Sequence, residues 1–446
     1  MTQEPTKPSI INPPEYAASA NAFKTLADKV YIHKLPSYGN KIFYGLGFLA
    51  LMSLVVLVVT GCITAFMGQS WWLFSSFGAF TRSVHLWSVQ AFVSVLTLHF
   101  LVGFFTSAFR PPRRMVWVFG AMIFCLALIQ TEFGYGLRGD FSSQWRAVSG
   151  ADFWNGAYLG WWVDPLSALQ VFPLHVAIIP IAIIMLFIAH YILVHAYGIS
   201  KPYRSDVVYK MVPANHRVMY IRGLMLVAAI AVMAYFFPSP YVPAIQIADV
   251  AAQDPALITK TLQQEYDHTS GTATYLDSID PYNFDTRKVF VTAPYEKLVG
   301  STPPAAAVAD QSVMINALLP AAKSGAYESL LSSEDSVHAL RFLSDLDVIS
   351  KKALALNMAT EQWGMAREET GSLLKLPPGP WWFAPIGALN SSFNLLNNKH
   401  GDRVAAQLLG LLMLIFIAFP YIPFVNRLPK FLPFARLIWR DRDVKK

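Results

Sequence analysis

The sequence predicts an all-α membrane protein: a four-helix bundle, two further transmembrane helices, and an inserted, mainly helical extrinsic domain. Three observations carry this. Of 446 residues, 54% are hydrophobic and only 14% charged, with a mean hydropathy of +0.39. That balance excludes an ordinary soluble chain, and no nucleic-acid partner is expected. Six apolar stretches, at 42–66, 84–108, 115–136, 173–197, 218–238 and 403–424, are long enough to cross a bilayer. Between the last two lies a polar block, 239–401, with charge of the opposite sign to the rest.

Residues 1–40 are polar and proline-rich and read as an N-terminal arm, with no cleavable signal peptide. Residues 41–202 hold the first four spans, 203–238 a loop and the fifth, and 402–446 the sixth and a basic tail. Lysine and arginine follow the second span (Arg110, Arg113, Arg114), the fourth (Lys201, Arg204, Lys210, Arg217) and the sixth (Arg427, Lys430, Arg436, Arg440, Arg442). By the positive-inside rule these segments and both termini are cytoplasmic, and 239–401 lies on the outer side. From 239 to 375 there are 17 acidic and 10 basic residues, net −7, against +7 for the whole chain. The contrast marks a separate acidic domain, whose charge serves either solvation or the docking of a basic partner. Its stretch SEDSVHALRFLSDLDVISKKALALNMATEQWG has helical apolar spacing, and VGSTPPAAAVAD reads as a linker. The cysteines, Cys62 and Cys125, lie inside apolar segments, and no C-x-x-C-H motif exists.

The second and fourth spans each carry a histidine pair: His85 and His99, fourteen apart, and His175 and His190, fifteen apart. Fourteen residues is just under four helical turns, so a pair shares nearly one face at two depths, roughly 21 Å apart. Two such helices side by side present two His–His pairs, a pattern suited to two stacked b-type hemes. A single histidine in an apolar helix is more often a hydrogen-bonded core residue; two pairs of near-matching spacing are not so explained. Gly47 and Gly61 in the first span, and Gly120 and Gly134 in the third, repeat the interval of fourteen. They suit either the close approach of flat cofactors or helix–helix packing.

With these residues goes a resemblance to the cytochrome b subunit of quinol-oxidising bc and bf complexes. It is carried by IFYGLG, the TG at Gly61, RSVH, the second histidine at 99, FRPPRRMVWVFG, FGYGL, HVAIIP and HAYGISKP, from about Lys41 to Pro202. A weaker match runs through Arg222 to Pro238 and Trp381 to Pro433. The fifteen-residue gap of the second pair is similar to the plastid-type protein. The resemblance implies a diheme four-helix core, hemes on His85 with His175 and on His99 with His190, and quinone as substrate. It also implies a place in an inner or energy-transducing membrane, in a dimer or larger complex. With no Rieske-type cysteines or c-type site in this chain, a Rieske iron–sulfur protein or a cytochrome c is expected as a separate subunit.

The resemblance assigns further residues and exposes departures. Arg82 matches the arginine that meets the outer heme's propionates. The arginine expected after the second histidine is Val102 here, which leaves Arg113 for the inner heme. The cysteine of an extra plastid-type heme is replaced by Gly45. His195 and Arg222 fall at an inner quinone site, where the neighbouring acid is Gly223 and Asp206 is a substitute. In the outer quinol loop, PPGPWWFAP, the proton-accepting carboxylate is replaced by Pro380. Glu132, with Tyr135 one turn on, falls where the family lines the outer quinone pocket. An unpaired charge there costs several kcal/mol, so Glu132 is expected either to replace the missing carboxylate or to pair with Arg138 or Arg146.

The expected function is that of a diheme cytochrome b carrying electrons between quinone sites and extrinsic redox subunits. The alternative is a transmembrane electron conduit from an outer partner to an inner quinone site, without bifurcated quinol oxidation. A histidine-lined channel would make the shared spacing a coincidence.

Overall fold

The computed structural model describes residues 32–203, 209–274, 284–331, 337–356, 377–385, 388–389, 401–432 and 434–439. Seven helices organise it: α1 Ile42–Met67, α2 Ser76–Phe105, α3 Arg114–Gly136, α4 Phe141–Gly156, α5 Ala168–Tyr197, α6 His216–Phe236 and α7 Arg403–Tyr421. All but α4 are long and apolar enough to cross a membrane, six in all among the described residues. α1 packs along α2 and α3 along α5; α6 covers α1 and α2, and α7 covers α3 and α4.

α2 starts eight residues before the apolar stretch that announces it. The Ser75 hydroxyl caps it by accepting from the Gly78 amide at 3.3 Å. Thr81, Ser83 and Ser88 turn their hydroxyls back onto carbonyls one turn earlier, which hides polar side chains in a span.

α5 accounts for the unequal histidine spacings. Leu174–Ile178, which contains His175, is a π-helical turn between Pro173 and Pro180. Such a turn holds one extra residue. Fifteen residues on α5 therefore do the work of fourteen on α2. Pro180 has no N–H to give back to the preceding turn, and the Gln130 side-chain amide donates to the His175 carbonyl at 2.6 Å.

The two ends of the bundle differ. At one end Arg110 donates to the Lys201 carbonyl at 2.5 Å, Arg113 to the Gly198 carbonyl and Arg222 to the Asn40 carbonyl at 3.1 Å. At the other end the chain leaving α6 is lashed down. Trp87 donates to Phe237 O at 2.8 Å, and Arg82 to Ser239 O at 2.9 Å. Gln144 exchanges two hydrogen bonds with Ile245, at 2.8 and 2.7 Å. Beyond it, short helices including Pro255–Tyr266, Ser312–Ser324 and Val337–Asp345 close on Ile258, Leu262, Phe290, Met314, Leu318 and Phe342. Asp254 caps the first, with Pro255 in its first turn. VGSTPPAAAVAD, expected as a linker, instead ends in a short helix, Ala305–Ala309, whose Ala307 is buried in this core. The core also takes in Phe141 of α4, fully buried, with Trp145 and Val148 against it. Arg341 pairs at 3.3 Å with Asp164, in the chain between α4 and α5. The insertion thus sits on the end of the bundle that carries His85 and His175.

Within it, Glu265 is fully buried, with Asp345, Ser270 and Thr286 around its carboxyl group. Burial first, and then Asp345 facing it, hold its pKa well above the usual carboxylate range. Tyr327 stands behind the pair, its hydroxyl donating to Phe290 O at 2.7 Å. The folded state keeps a proton that the unfolded chain releases near pH 4.3, so this contribution to stability is full below that pH and falls as pH rises through neutral. Hydrogen exchange of 255–266 in the detergent-solubilised chain should therefore speed between about pH 5 and about pH 8 beyond the intrinsic rate. Glu265→Gln should flatten that excess; equal slopes in both proteins would contradict it.

Candidate functional site

The four histidines meet in two pairs, each across a cavity in the bundle. His85 of α2 and His175 of α5 face one another with ring centroids 6.4 Å apart and planes at 71°. Their cavity, about 750 Å³, is also lined by Gly61, Arg82, Gln130, Thr131, Gly134 and Arg138. His99 and His190 share a second cavity, about 210 Å³, with Gly47, Gly120, Val102, Thr106 and Arg113. Most of the remaining lining of both is aliphatic or aromatic.

Hydrogen bonds fix the form of three of the rings. His175 Nδ1 lies 3.0 Å from the Gln130 carbonyl, and His190 Nδ1 lies 2.8 Å from the Val116 carbonyl. A carbonyl only accepts, so each Nδ1 carries the hydrogen and each Nε2 keeps a lone pair. His85 Nδ1 lies 2.9 Å from the Thr60 hydroxyl, whose own hydrogen is directed to Val56 O at 2.7 Å. His85 therefore also donates through Nδ1. Gln130 holds His175 twice, accepting from its ring and donating to its carbonyl.

The glycines explain how a helix carbonyl can accept from a side chain. Val116 and Gln130 stand four residues before Gly120 and Gly134. A side chain at that later position lies over the carbonyl one turn back; without it the second lone pair is open. A Cβ at Gly120 would stand 3.2 Å from His190 Cε1, and one at Gly134 only 2.5 Å from His175 Cε1. Gly47 and Gly61 seat His99 and His85 in the same way, at 3.2 Å each. The repeat of fourteen in the glycines is thus the repeat of the histidines they accommodate, and the same glycines line the cavities.

Two imidazoles 6.4 Å apart suit a metal between them: two bonds of about 2 Å and about 1.1 Å from each nitrogen to its ring centre make roughly 6 Å. Among the described residues no group of three or more His, Cys, Asp or Glu could hold a metal. A metal bound here must bring its remaining ligands with it, which a macrocycle does. Arg82 and Arg138 line the larger cavity and Arg113 the smaller, so each has a cation in its wall.

The residues expected at quinone sites are less gathered. His195 is exposed near the end of α5, its ring 6.5 Å from Tyr191. Arg222 is tied to Asn40, and neither lines either cavity. A Cβ at Gly223 would come within 2.9 Å of Phe48, so α1 excludes a carboxylate there. Asp206 lies outside the described residues. Glu132 does not line the larger cavity; it points along the seam between α3 and α4, where a Cβ at Gly150 would lie 2.7 Å from its Oε1. Of the two expected pairings, Arg138 is bound to Asp140 at 2.8 Å, and Arg146 is the charge that bears on Glu132. Arg146 also lies over the Tyr135 ring at 4.5 Å. Pro380 precedes a 3-10 turn, Trp381–Phe383, whose indoles donate to Gln90 at 3.1 Å and Thr131 at 3.0 Å, with Trp382 packed beside Tyr135.

Sequence reasoning missed Gln130, Thr60 and the Val116 carbonyl. The available signal was positional: glycine four residues after an acceptor, and proline five residues after His175.

A sequence profile described as cytochrome b (N-terminal)/b6/petB matches residues 90–247. A protein named cytochrome b6 from Heliomicrobium gestii is 33% identical over 199 residues, covering 40% of this chain and 93% of that protein. Another from Heliobacterium modesticaldum is 32% identical over the same shares, and one from Prochlorococcus marinus 29% over 201 residues, 40% of this chain and 92% of its own. A solved structure titled "Hyperthermophilic respiratory Complex III" aligns over 92% of this chain and 98% of that one, with a TM-score of 0.43 and 15% identity, a likeness too slight to carry an argument.

Gly134→Ala should be the most damaging of the four glycine replacements, costing about 1–3 kcal/mol by overpacking against His175. Thermal unfolding of the purified chain checks it; equal melting of the Gly134→Ala and Gly47→Ala proteins would contradict the ranking.

Proposed function

This chain belongs to the cytochrome b family of the bc and bf complexes, and on that premise we propose that it is a diheme carrier moving electrons across the membrane between quinone sites and separate redox subunits. The single observation that carries the reading is the pairing of imidazoles across each cavity, with Nδ1 of His85, His175 and His190 committed to acceptors and their Nε2 left to ligate. One heme b would be held by His85 and His175, the other by His99 and His190. Heme bound there supplies a reversible one-electron iron couple.

The chain's own residues do the rest. The Nδ1 hydrogen bonds of His85, His175 and His190 hold those rings in the ligating tautomer and raise their basicity. The apolar walls exclude water, so charge is stabilised by the fixed groups present. Arg82 and Arg138 are suited to carboxylates at the edge of the His85–His175 group, and Arg113 to those of the other. His195 and Arg222 are proposed to bind quinone at the cationic end. At the opposite end, Glu132 is proposed to accept a quinol proton in place of Pro380, with Tyr135 beside it. Arg146 lies over Tyr135 and bears on Glu132, which supports reading the three as one cluster.

The cationic end is proposed to face the cytoplasm with both termini, and 239–401 the outer side. A Rieske iron–sulfur protein or cytochrome c, in a dimer or larger assembly, fits a chain with no such centre of its own.

Two experiments test this. His99→Ala should remove one heme and leave the other, as read by reduced-minus-oxidised spectra; loss of neither contradicts the ligand assignment. Glu132→Gln should keep both hemes and lower quinol oxidation about 10²-fold. Unchanged turnover would make Glu132 a structural carboxylate. Absence of quinol oxidation from the unmodified protein would favour the electron-conduit reading.

A further inference from the structure

Three of the imidazole Nδ1 groups meet acceptors of two kinds. His175 and His190 each donate to a main-chain carbonyl exposed by the glycine four residues later. By that rule His85, seated on Gly61, would donate to the Leu57 carbonyl. The Leu57 carbonyl does bear on His85, and the Thr60 hydroxyl, 2.9 Å from His85 Nδ1 and 3.3 Å from Leu57 O, stands beside it as a second acceptor. Its hydrogen goes to Val56 O at 2.7 Å, the geometry of a threonine folded back on its own helix. With that hydrogen used, the oxygen presents a lone pair to the ring. Thr60 is buried at 8% exposure, so water does not compete for that lone pair.

We propose that Thr60 is a positioning residue that sets the ligand strength of His85, and through it the potential of the metal group held by His85 and His175. This rests on the diheme reading above. An acceptor on the far ring nitrogen pushes electron density toward the ligating nitrogen and favours the oxidised metal. A hydroxyl already donating elsewhere is a defined but weaker acceptor than a carbonyl. The same group therefore has one ligand, His175, held at both ends by Gln130, and one, His85, whose Nδ1 is also met by a side chain. A side chain can be exchanged without rebuilding the helix, whereas the Gln130 and Val116 carbonyls cannot. This is the one ligand among the three whose electronic setting the sequence can vary at a single position.

The test is a redox titration of the two hemes, resolved by their spectra, in Thr60→Val and Thr60→Ser proteins. Valine keeps the shape and removes the acceptor; serine restores it. Thr60→Val should raise the potential of the His85–His175 heme alone, shifting electron sharing between the two hemes toward it about fivefold. Thr60→Ser should return it close to the unmodified value. Two hemes per chain with no shift, a fall, a shift common to both, or no rescue by serine would overturn the role of Thr60 and leave the diheme reading standing. Absence of a heme spectrum from the unmodified protein would overturn both.

Discussion

A histidine Nδ1 hydrogen given to a helix carbonyl is the interaction on which the centre of this structure depends. Helix carbonyls are normally covered by the side chain one turn later, and an imidazole inside an apolar span has few acceptors. Glycine at 120 and 134 removes that cover, and the His190 and His175 rings enter the gap. The contact fixes three things at once: how closely α3 and α5 approach, which way the rings face, and which nitrogen is left to bind. α1 and α2 repeat the arrangement with Gly61 and His85, where Thr60 adds a hydroxyl acceptor. The cavities between the pairs follow from these placements.

This explains which parts could be read from the sequence. The histidine pairs were legible because their spacing is a helical period, and the spans because hydropathy over twenty residues outweighs local detail. The glycine period was legible too, but its cause was not, since the carbonyl it uncovers has no letter in the sequence. The extra residue in the His175–His190 interval looked like a family feature; in the structure it is a π turn between Pro173 and Pro180. The start of α2 was missed because its first turns are rich in hydroxyls, which satisfy themselves on their own helix and leave no apolar signal. Glu132 was read as facing a pocket, yet it lies in the α3–α4 seam beside Gly150. Which side of a helix meets a connector such as α4 depends on tertiary packing that periodicity alone does not carry.

The insertion is joined to the site's end of the bundle by shared core and not by charge alone. Phe141, the first residue of α4, is buried in the insertion's core, while Arg146, one and a half turns on, lies over Tyr135. The strap at 237–245 is held by Arg82, Ser83 and Trp87, which flank His85. A displacement of the insertion would therefore act on α4 and on the first turns around His85. The loop at Pro380 makes the third wall of this end, its indoles tied to α2 and α3.

In the arrangement proposed for this chain, two separate pairs of imidazoles each ligate one iron. Low-temperature electron paramagnetic resonance of the purified, oxidised chain tests it most directly. Two distinct low-spin ferric signals of bis-imidazole type, in equal amounts, with two irons per chain, are expected. One signal, a high-spin signal as the major species, or one iron or fewer per chain would contradict it.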